Sequence, residues 1–319
     1  MAASPSPIPP ITVSVVTRDR PAPLLRNLQS LRLIAPLIAE VIVKDDGAVG
    51  DVEAVVRANL APDYPCSIRV ERVAGPLGYI RALNEIGRAA PSEFILNLDD
   101  DAFIVDVPGV RLAVEILQRD PAVAAVAFAQ TNGDGELWPN HVQPSAKTSA
   151  CAINCFTGFG YLMRKSALLA VNGFRETIYY AGWEKELCLR WLERGFKVIY
   201  SPACKVGHLP ELKGRDPSLF LRYTTRNNCL TALYDEPWLM VAASVPVRLY
   251  AYFQMRKAGH IADPGGFKWI LGEIWRCWPT VKRDRTPLKW QTFRRWRELR
   301  RTSPAYPLPS TAASENKPA

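Results

Sequence analysis

Glu93-Phe-Ile-Leu-Asn-Leu98 runs directly into Asp99-Asp100-Asp101, a short apolar segment set against three adjacent carboxylates. Residues 93–98 read as a buried strand. Three neighbouring carboxylates repel one another and form sheet poorly, so the strand ends where they begin. Working back from this point, Leu77 to Ala90 has helical spacing, Ser67 to Val73 reads as a strand and Val52 to Leu60 as a helix. Glu40 to Lys44 (EVIVK) is a strand ending in Asp45-Asp46-Gly47. Leu24, Leu28 and Leu31 recur at helical spacing with Pro21 just inside the start, and Ile11 to Thr17 (ITVSVVT) is a β-branched strand. Strand and helix alternating at this spacing predict a mostly parallel sheet with helices on both faces, an α/β architecture. Ligands of such sheets bind outside the carboxyl ends of the strands. Thr17, Asp45, Asp46 and Asp99 to Asp101 all fall at that edge. No G-x-G-x-x-G follows the first strand, so the usual dinucleotide fingerprint is missing.

The second half reads differently. Val123 to Ala129 is an apolar strand, and a Gly-rich stretch, Phe156 to Tyr161, leads into a strand and a short helix. Glu184 to Arg194 is a helix closed by Gly195, and Lys197 to Ser201 is a strand. The expected division is a disordered start at 1–10, one α/β domain at 11–230, a basic, Trp-rich helical segment at 231–301 and a disordered tail at 302–319.

The 319 residues carry 40 Lys/Arg and 31 Asp/Glu, a net charge of +9. Val245 to Thr302 holds fourteen basic and four acidic residues, +10, so the rest of the chain sums to about −1. A near-neutral body excludes a protein that coats nucleic acid. The basic segment calls for an anionic surface partner. It also holds five of the nine Trp, and Phe293, Trp296 and Leu299 recur at helical spacing between arginines. Such a helix suits an anionic membrane surface, and equally a helix whose aromatics pack on the body. Seven cysteines, no secretory signal and no apolar run long enough to span a bilayer lead to an expected cytoplasmic location, with peripheral contact at the inner face of the plasma membrane.

Two readings of Asp99-Asp100-Asp101 stand side by side. Hard carboxylate oxygens suit Mg²⁺ or Mn²⁺ bridging to a diphosphate, and a polar loop capping the next helix has the same composition. Asp45 could accept from a nucleobase N–H, or simply make an Asp-Gly turn with its neighbours.

VSVVTRDRP (13–21), VIVKDDG (41–47), GYIRALNEIGRAA (78–90) and ILNLDDDAFI (95–104) resemble the nucleotide-sugar-binding half of family-2 glycosyltransferases. FTGFGYLMRKSAL (156–168), NGFRE (172–176) and GWEKELCLRWLERGFKV (182–198) resemble its acceptor half. The resemblance covers roughly Ile11 to Leu230. It implies a GT-A fold, a nucleotide-diphosphate sugar donor, a divalent metal, Mg²⁺ or Mn²⁺, and inversion at the anomeric carbon. By the same resemblance Thr17 and Asp45 contact base and ribose. Asp99, near the ribose, and Asp100 belong to the nucleotide-sugar site, and Asp101 holds the metal. Arg81 and Asn84 lie on the helix beside the donor, where Arg81 either contacts the diphosphate or faces solvent.

Glu184 is the candidate general base, because an inverting transfer needs a carboxylate to take the acceptor hydroxyl's proton. The family pattern has Glu-Asp-x-Asp where this chain has Trp183-Glu184-Lys185-Glu186. Acidic residues in a first helical turn also favour the helix dipole without any catalytic role. Trp183 and Glu186 are expected on the acceptor, with Glu186 alternatively pairing Arg190 at i, i+4. Phe156 to Tyr161 is expected to shape the acceptor pocket. His208 is a metal ligand or a surface loop residue. The cysteine spacings fit buried structural cysteines better than a zinc site. Bacterial rhamnosyl- and galactosyl-transferring enzymes of this type imply a glycan or lipid-linked acceptor in cell-surface polysaccharide or glycolipid synthesis. The rival readings are a sugar nucleotidyltransferase and an inactive nucleotide-sugar-binding module.

Overall fold

The computed structural model describes residues 8–60, 63–73, 75, 77–210 and 216–309. Strands β1 (Ile11–Thr17), β2 (Ile38–Asp45), β3 (Ile68–Arg72) and β4 (Phe94–Asp99) pair in parallel in the order β3-β2-β1-β4. Helices α1 (Pro21–Ser30), α2 (Val52–Asn59) and α3 (Tyr79–Ala89) connect them. This is the parallel half that the alternating periods require. Every residue of β1 is buried, so Thr12 and Ser14, which alternate with its apolar residues, are enclosed like their neighbours.

The chain continues through β5 (Ala102–Ile104), α4 (Val107–Arg119), β6 (Val123–Thr131), β7 (Cys151–Ile153), β8 (Gly160–Arg164) and α5 (Lys165–Ala170). Then follow α6 (Trp183–Glu193) and β9 (Lys197–His208). The sheet extends as β4-β8-β6-β9-β5, with β8 antiparallel to both β4 and β6, and β7 also pairing with β9. Two apolar clusters cover its faces. Val41 and Val43 belong to the cluster on one side, with Leu24, Leu28, Val52 and Ile116. Ile42 belongs to the cluster on the other, with Ile80, Leu83, Leu187 and Trp191, as the two-residue period of a strand demands.

β9 runs past the expected end at Ser201. Its register skips from Ser201, opposite Phe128, to Lys205, opposite Ala129, so residues 202–204 bulge out before pairing resumes. Pro202, which cannot donate to a ladder, makes the sequence read as a strand end.

Four helices follow: α7 (Pro217–Asp235), α8 (Trp238–Ala258), α9 (Gly266–Asp284) and α10 (Trp290–Thr302). α7 crosses residue 230 without a break, so the expected division at 230/231 falls inside a helix. The tail is also corrected in part. The Ala152 amide donates to the Pro304 carbonyl at 2.8 Å and the Tyr306 amide to the Ala150 carbonyl at 2.9 Å. Tyr306 Oη lies 3.2 Å from Asp120 Oδ2. The free edge of β7 supplies what the Pro- and Ser-rich composition hides, a row of unpaired backbone groups for the tail to join. The expected disorder at 1–7 and 310–319 lies outside the described residues. Among the described residues no helix is long and apolar enough to cross a membrane.

Candidate active site

The carboxyl ends of β1, β2 and β4 meet by register. Thr17 pairs with Asp45 and Val16 with Asp99. The turn after β4 is pinned from α1, where buried Asn27 donates to the carbonyls of Asp99 (3.0 Å) and Ala102 (2.8 Å). Thr17 Oγ1 donates to Asp100 Oδ2 at 2.8 Å. Arg20 spans two carboxylates, Asp100 Oδ1 at 2.5 Å and Asp101 Oδ2 at 2.6 Å. Tyr79 Oη donates to Asp99 Oδ1 at 2.9 Å.

His208 closes the cluster as the last residue of β9, paired with Ala102 of β5 and not in a loop. Its ring stacks on Phe159 at 5.0 Å, and its Nε2 lies 3.2 Å from Asp101 Oδ1. Asp99, Asp101 and His208 each bring one ligand atom to within 4.8 Å of the others. Apart from that His208 contact Asp101 Oδ1 has no partner, and His208 Nδ1 is buried without a hydrogen bond. Burial pushes the Asp99 carboxyl up to about 6, with the Asp101 charge adding to it. Burial likewise pushes Asp100 up to about 6 against the pull of Arg20 and Thr17. Burial also works against the charge on Asp101, but His208 and Arg20 outweigh it and hold that carboxyl at about 2. Two carboxylate oxygens and an imidazole nitrogen form a donor set that fits a divalent cation such as Mn²⁺ or Mg²⁺.

On the other side of the edge Asp45 is fully buried. Its Oδ1 accepts from the Ala48 amide at 2.8 Å, while Oδ2 is left without a hydrogen bond. Asp46 Oδ1 accepts from the amides of Leu77 (2.6 Å) and Gly78 (2.9 Å), fixing the entry to α3. Gly78 turns there at φ 92°, which suits glycine. Arg81 stands on the solvent side of α3, 4.0 Å from Glu85. Asn84, expected on the donor, is corrected. It is buried, with its amide donating to the Phe174 carbonyl (2.9 Å) and its Oδ1 accepting from the Phe174 amide (2.7 Å). Both ends of the side chain clamp α3 to the 172–176 turn.

Glu184 lies in the first turn of α6, after Gly182 at φ 77°. Its carboxylate faces Gly158. A Cβ on Gly158 would sit 3.1 Å from Glu184 Oε1 and 2.6 Å from Trp183 Cζ2, so this glycine makes room for both. Burial pushes the Glu184 carboxyl up to about 7 and the Asp99 charge adds to it, against hydrogen bonds from backbone amides including those of Gly158 and Gly182. Glu184 and Asp99 are therefore electrostatic neighbours.

Three expected acceptor contacts are corrected. Trp183 is buried among Tyr79, Phe156, Tyr161 and Phe174. The aromatics of 156–161 are likewise core. Glu186 is 1% exposed. Its two oxygens take Arg190 at 2.6 and 2.7 Å, and Arg175 adds a third bond at 2.7 Å. The two arginines outweigh burial and lower its carboxyl, which is the i, i+4 pairing alternative.

Sequence reasoning missed Arg20 and Tyr79 as partners of the acidic edge and Gly158 as the neighbour of Glu184. The signal for Arg20 was its place between the end of β1 and Pro21. Also unforeseen is Tyr180, at φ 73° in a region a bulky residue seldom enters. Asn227 holds it there by donating to the carbonyls of Tyr179 (2.6 Å) and Ala181 (2.7 Å). Its ring lies 5.3 Å from Tyr223 and 6.3 Å from Phe220, and Tyr180 and Phe220 are both exposed.

Among solved structures the chain is similar to the mannosyltransferase PcManGT from Pyrobaculum calidifontis in complex with GDP-Man and Mn²⁺. The two share 17% identity over 93% of this chain and 85% of that one, with a TM-score of 0.60. GalNAc-T7 with UDP, GalNAc and Mn²⁺ gives 16% identity, 86% of this chain and a TM-score of 0.60, and this chain spans 58% of its length. S. aureus TarS 1-349 in complex with UDP gives 16% identity, 83% and 80% coverage and a TM-score of 0.59. At such identities the likeness shows the fold, which is GT-A. No curated protein matches the sequence significantly. The family model described as glycosyl transferase family 2 matches residues 12–177, more than half of the 319, and the chain belongs to that family.

Proposed function

We propose that the protein is an inverting, metal-dependent glycosyltransferase that moves a hexose or deoxyhexose from a nucleotide-diphosphate sugar to an acceptor hydroxyl. One observation carries the reading: Asp99, Asp101 and His208 converge at the edge, and the Asp99 charge reaches the Glu184 carboxyl. The solved relatives bind UDP, GDP-Man and UDP-GlcNAc, two of them with Mn²⁺, which supports a nucleotide-sugar donor here.

In this reading Asp45 Oδ2, the buried oxygen without a hydrogen bond, accepts from the nucleobase or ribose, beside Thr17 at the end of β1. Asp99, Asp101 and His208 hold Mg²⁺ or Mn²⁺, with Asp100 and Arg20 behind them. The ion, when bound, offsets the negative charge that grows on the leaving diphosphate. Glu184 takes the proton of the acceptor hydroxyl as its oxygen forms the bond to the anomeric carbon. The bond from that carbon to the phosphate oxygen breaks in the same displacement, and the nucleoside diphosphate leaves with the electron pair. A carboxyl near 7 is tuned for this task at neutral pH. Exposed Tyr180 and Phe220, just before the base and at the start of α7, offer aromatic faces to a sugar ring of a glycan or lipid-linked acceptor. The setting is cell-surface polysaccharide or glycolipid synthesis, with peripheral contact at an anionic membrane.

A nucleotidyltransferase would need basic groups after β1 for a triphosphate. Here Arg20 is engaged by Asp100 and Asp101. An inactive module would not need a half-buried carboxylate raised to about 7 near the acidic edge. Calorimetric titration with UDP and GDP, each with and without Mn²⁺, tests the reading. One nucleotide should bind only with the ion, and Asp101→Ala should abolish that binding. At about 100 times Kd the bound state should gain ~2.7 kcal/mol in stability. Binding by Asp101→Ala equal to wild type in the absence of metal would refute the metal site.

A further inference from the structure

The basic C-terminal segment points to an anionic surface, but the helix whose sequence suggests the contact is not the one that offers a face. In α10, Phe293 is buried and Trp296 half-buried against Leu189 and Leu288. The aromatic stripe of α10 is already used on the body. α8 and α9 lie side by side on α7 and run antiparallel: Trp238, at the start of α8, is 6.3 Å from Trp278 near the end of α9. Phe253, near the end of α8, is 4.9 Å from Phe267 at the start of α9.

Their outer faces are apolar and unpartnered among the described residues. On α8, Leu239 is 87% exposed, Val247 66% and Tyr250 63%, positions that share one stripe. On α9, Leu271 and Trp275 are exposed, Trp275 by 75%, on the stripe that also carries exposed Lys268 and Lys282. The charges around these side chains have one sign. Residues 238–284 contain three acids: Asp263 and Glu273 are buried, and Asp284, the last residue of α9, is paired with Arg283 at 2.7 Å. Asp263 is held by Arg222 and Tyr252, and Glu273 by Arg226 and Arg276. Arg256, Lys257, Lys268 and Lys282 are exposed. Apolar and Trp side chains ringed by cations, with the acids withdrawn, match the interface of an anionic bilayer. A second copy of the chain would meet the same positive charge, which disfavours self-association through this face.

We infer that the α8–α9 face, not α10, seats the protein on an anionic lipid surface, with Leu239, Val247, Tyr250, Leu271 and Trp275 entering the headgroup region. This deepens the proposed peripheral contact and rests on it for its biological purpose only.

Sedimentation of the full chain with phosphatidylcholine vesicles containing phosphatidylglycerol tests it, against phosphatidylcholine alone. Binding should require the anionic lipid and weaken at least tenfold when salt shortens the screening length to about 3 Å at 1 M. The triple substitution Leu239→Glu, Val247→Glu, Trp275→Glu should abolish it. Reversal of Arg294, Arg295 and Arg297 on α10 to Glu should leave most of it. All six introduced acids replace exposed side chains, and circular dichroism with nucleotide binding confirms the fold of each variant. Loss of vesicle binding in the α10 variant with retention in the α8–α9 variant overturns the assignment. So does a wild-type dimer in light scattering that the triple substitution dissolves, with no vesicle binding by either form. Nucleotide titration with Mn²⁺ reads the catalytic proposal separately, so either can fail while the other stands.

Discussion

Glu184 and Glu186 sit two positions apart in one helix turn and meet opposite surroundings. Glu184 is raised to about 7 by burial without a cation beside it, and Glu186 is lowered by two arginines. A base must be free to take a proton, and only Glu184 is. Glu184→Gln should reduce transfer by ~10²–10⁴ with nucleotide binding close to wild type, and Glu184→Asp should keep partial activity. The wild-type rate should rise with pH through about 7 as this carboxyl ionises. Stability follows the opposite course. The folded pKa lies above the usual 4.5, so the favourable contribution is complete below about 4.5 and is lost as pH rises through about 7. Thermal melts at pH 6 and 8 should therefore differ less for Glu184→Gln than for wild type. An unchanged difference would place the titrating group elsewhere.

At the scale of elements, two side chains expected at the site instead fasten separate elements to one another. Glu186 ties α6 to Arg175, which also reaches Asp235 of α7 at 3.3 Å. Asn84 ties α3 to the turn at 172–176. Removing one partner of a buried ion pair strands the other charge, so Glu186→Gln should destabilise by about 3–5 kcal/mol. Asn84→Ala leaves the Phe174 amide and carbonyl unsatisfied and should cost about 1–3 kcal/mol. Denaturant titration reads both. Nucleotide affinity of the folded fraction should stay near wild type, and a selective loss of affinity in Asn84→Ala would restore it to the donor site.

For the whole molecule, the tail joins what the sequence leaves apart. Truncation after Ser303 removes two backbone hydrogen bonds to the β7 edge and the Tyr306 contact to Asp120. At roughly 0.5–1.5 kcal/mol each this should destabilise by roughly 1.5–4.5 kcal/mol, and an unchanged melting temperature would count against the pairing. The sequence by itself determined the parallel half, because buried β-branched runs and amphipathic helices encode their state locally. It also determined the acidic edge, because parallel strands deliver their carboxyl ends to one side, so Thr17, Asp45 and Asp99 had to meet. Local pattern could not reveal partners distant in the chain. Arg20 on Asp101, Tyr79 on Asp99 and Gly158 against Glu184 are contacts between separate elements. Asn84 and Glu186 were misassigned for the same reason, since a polar residue in a helix shows its type but not what faces it. Pro202 hid the continuation of β9 that makes His208 a strand end. The solvent face of α8 and α9 likewise emerged only when packing on α7 had decided which stripe of each helix was left outside.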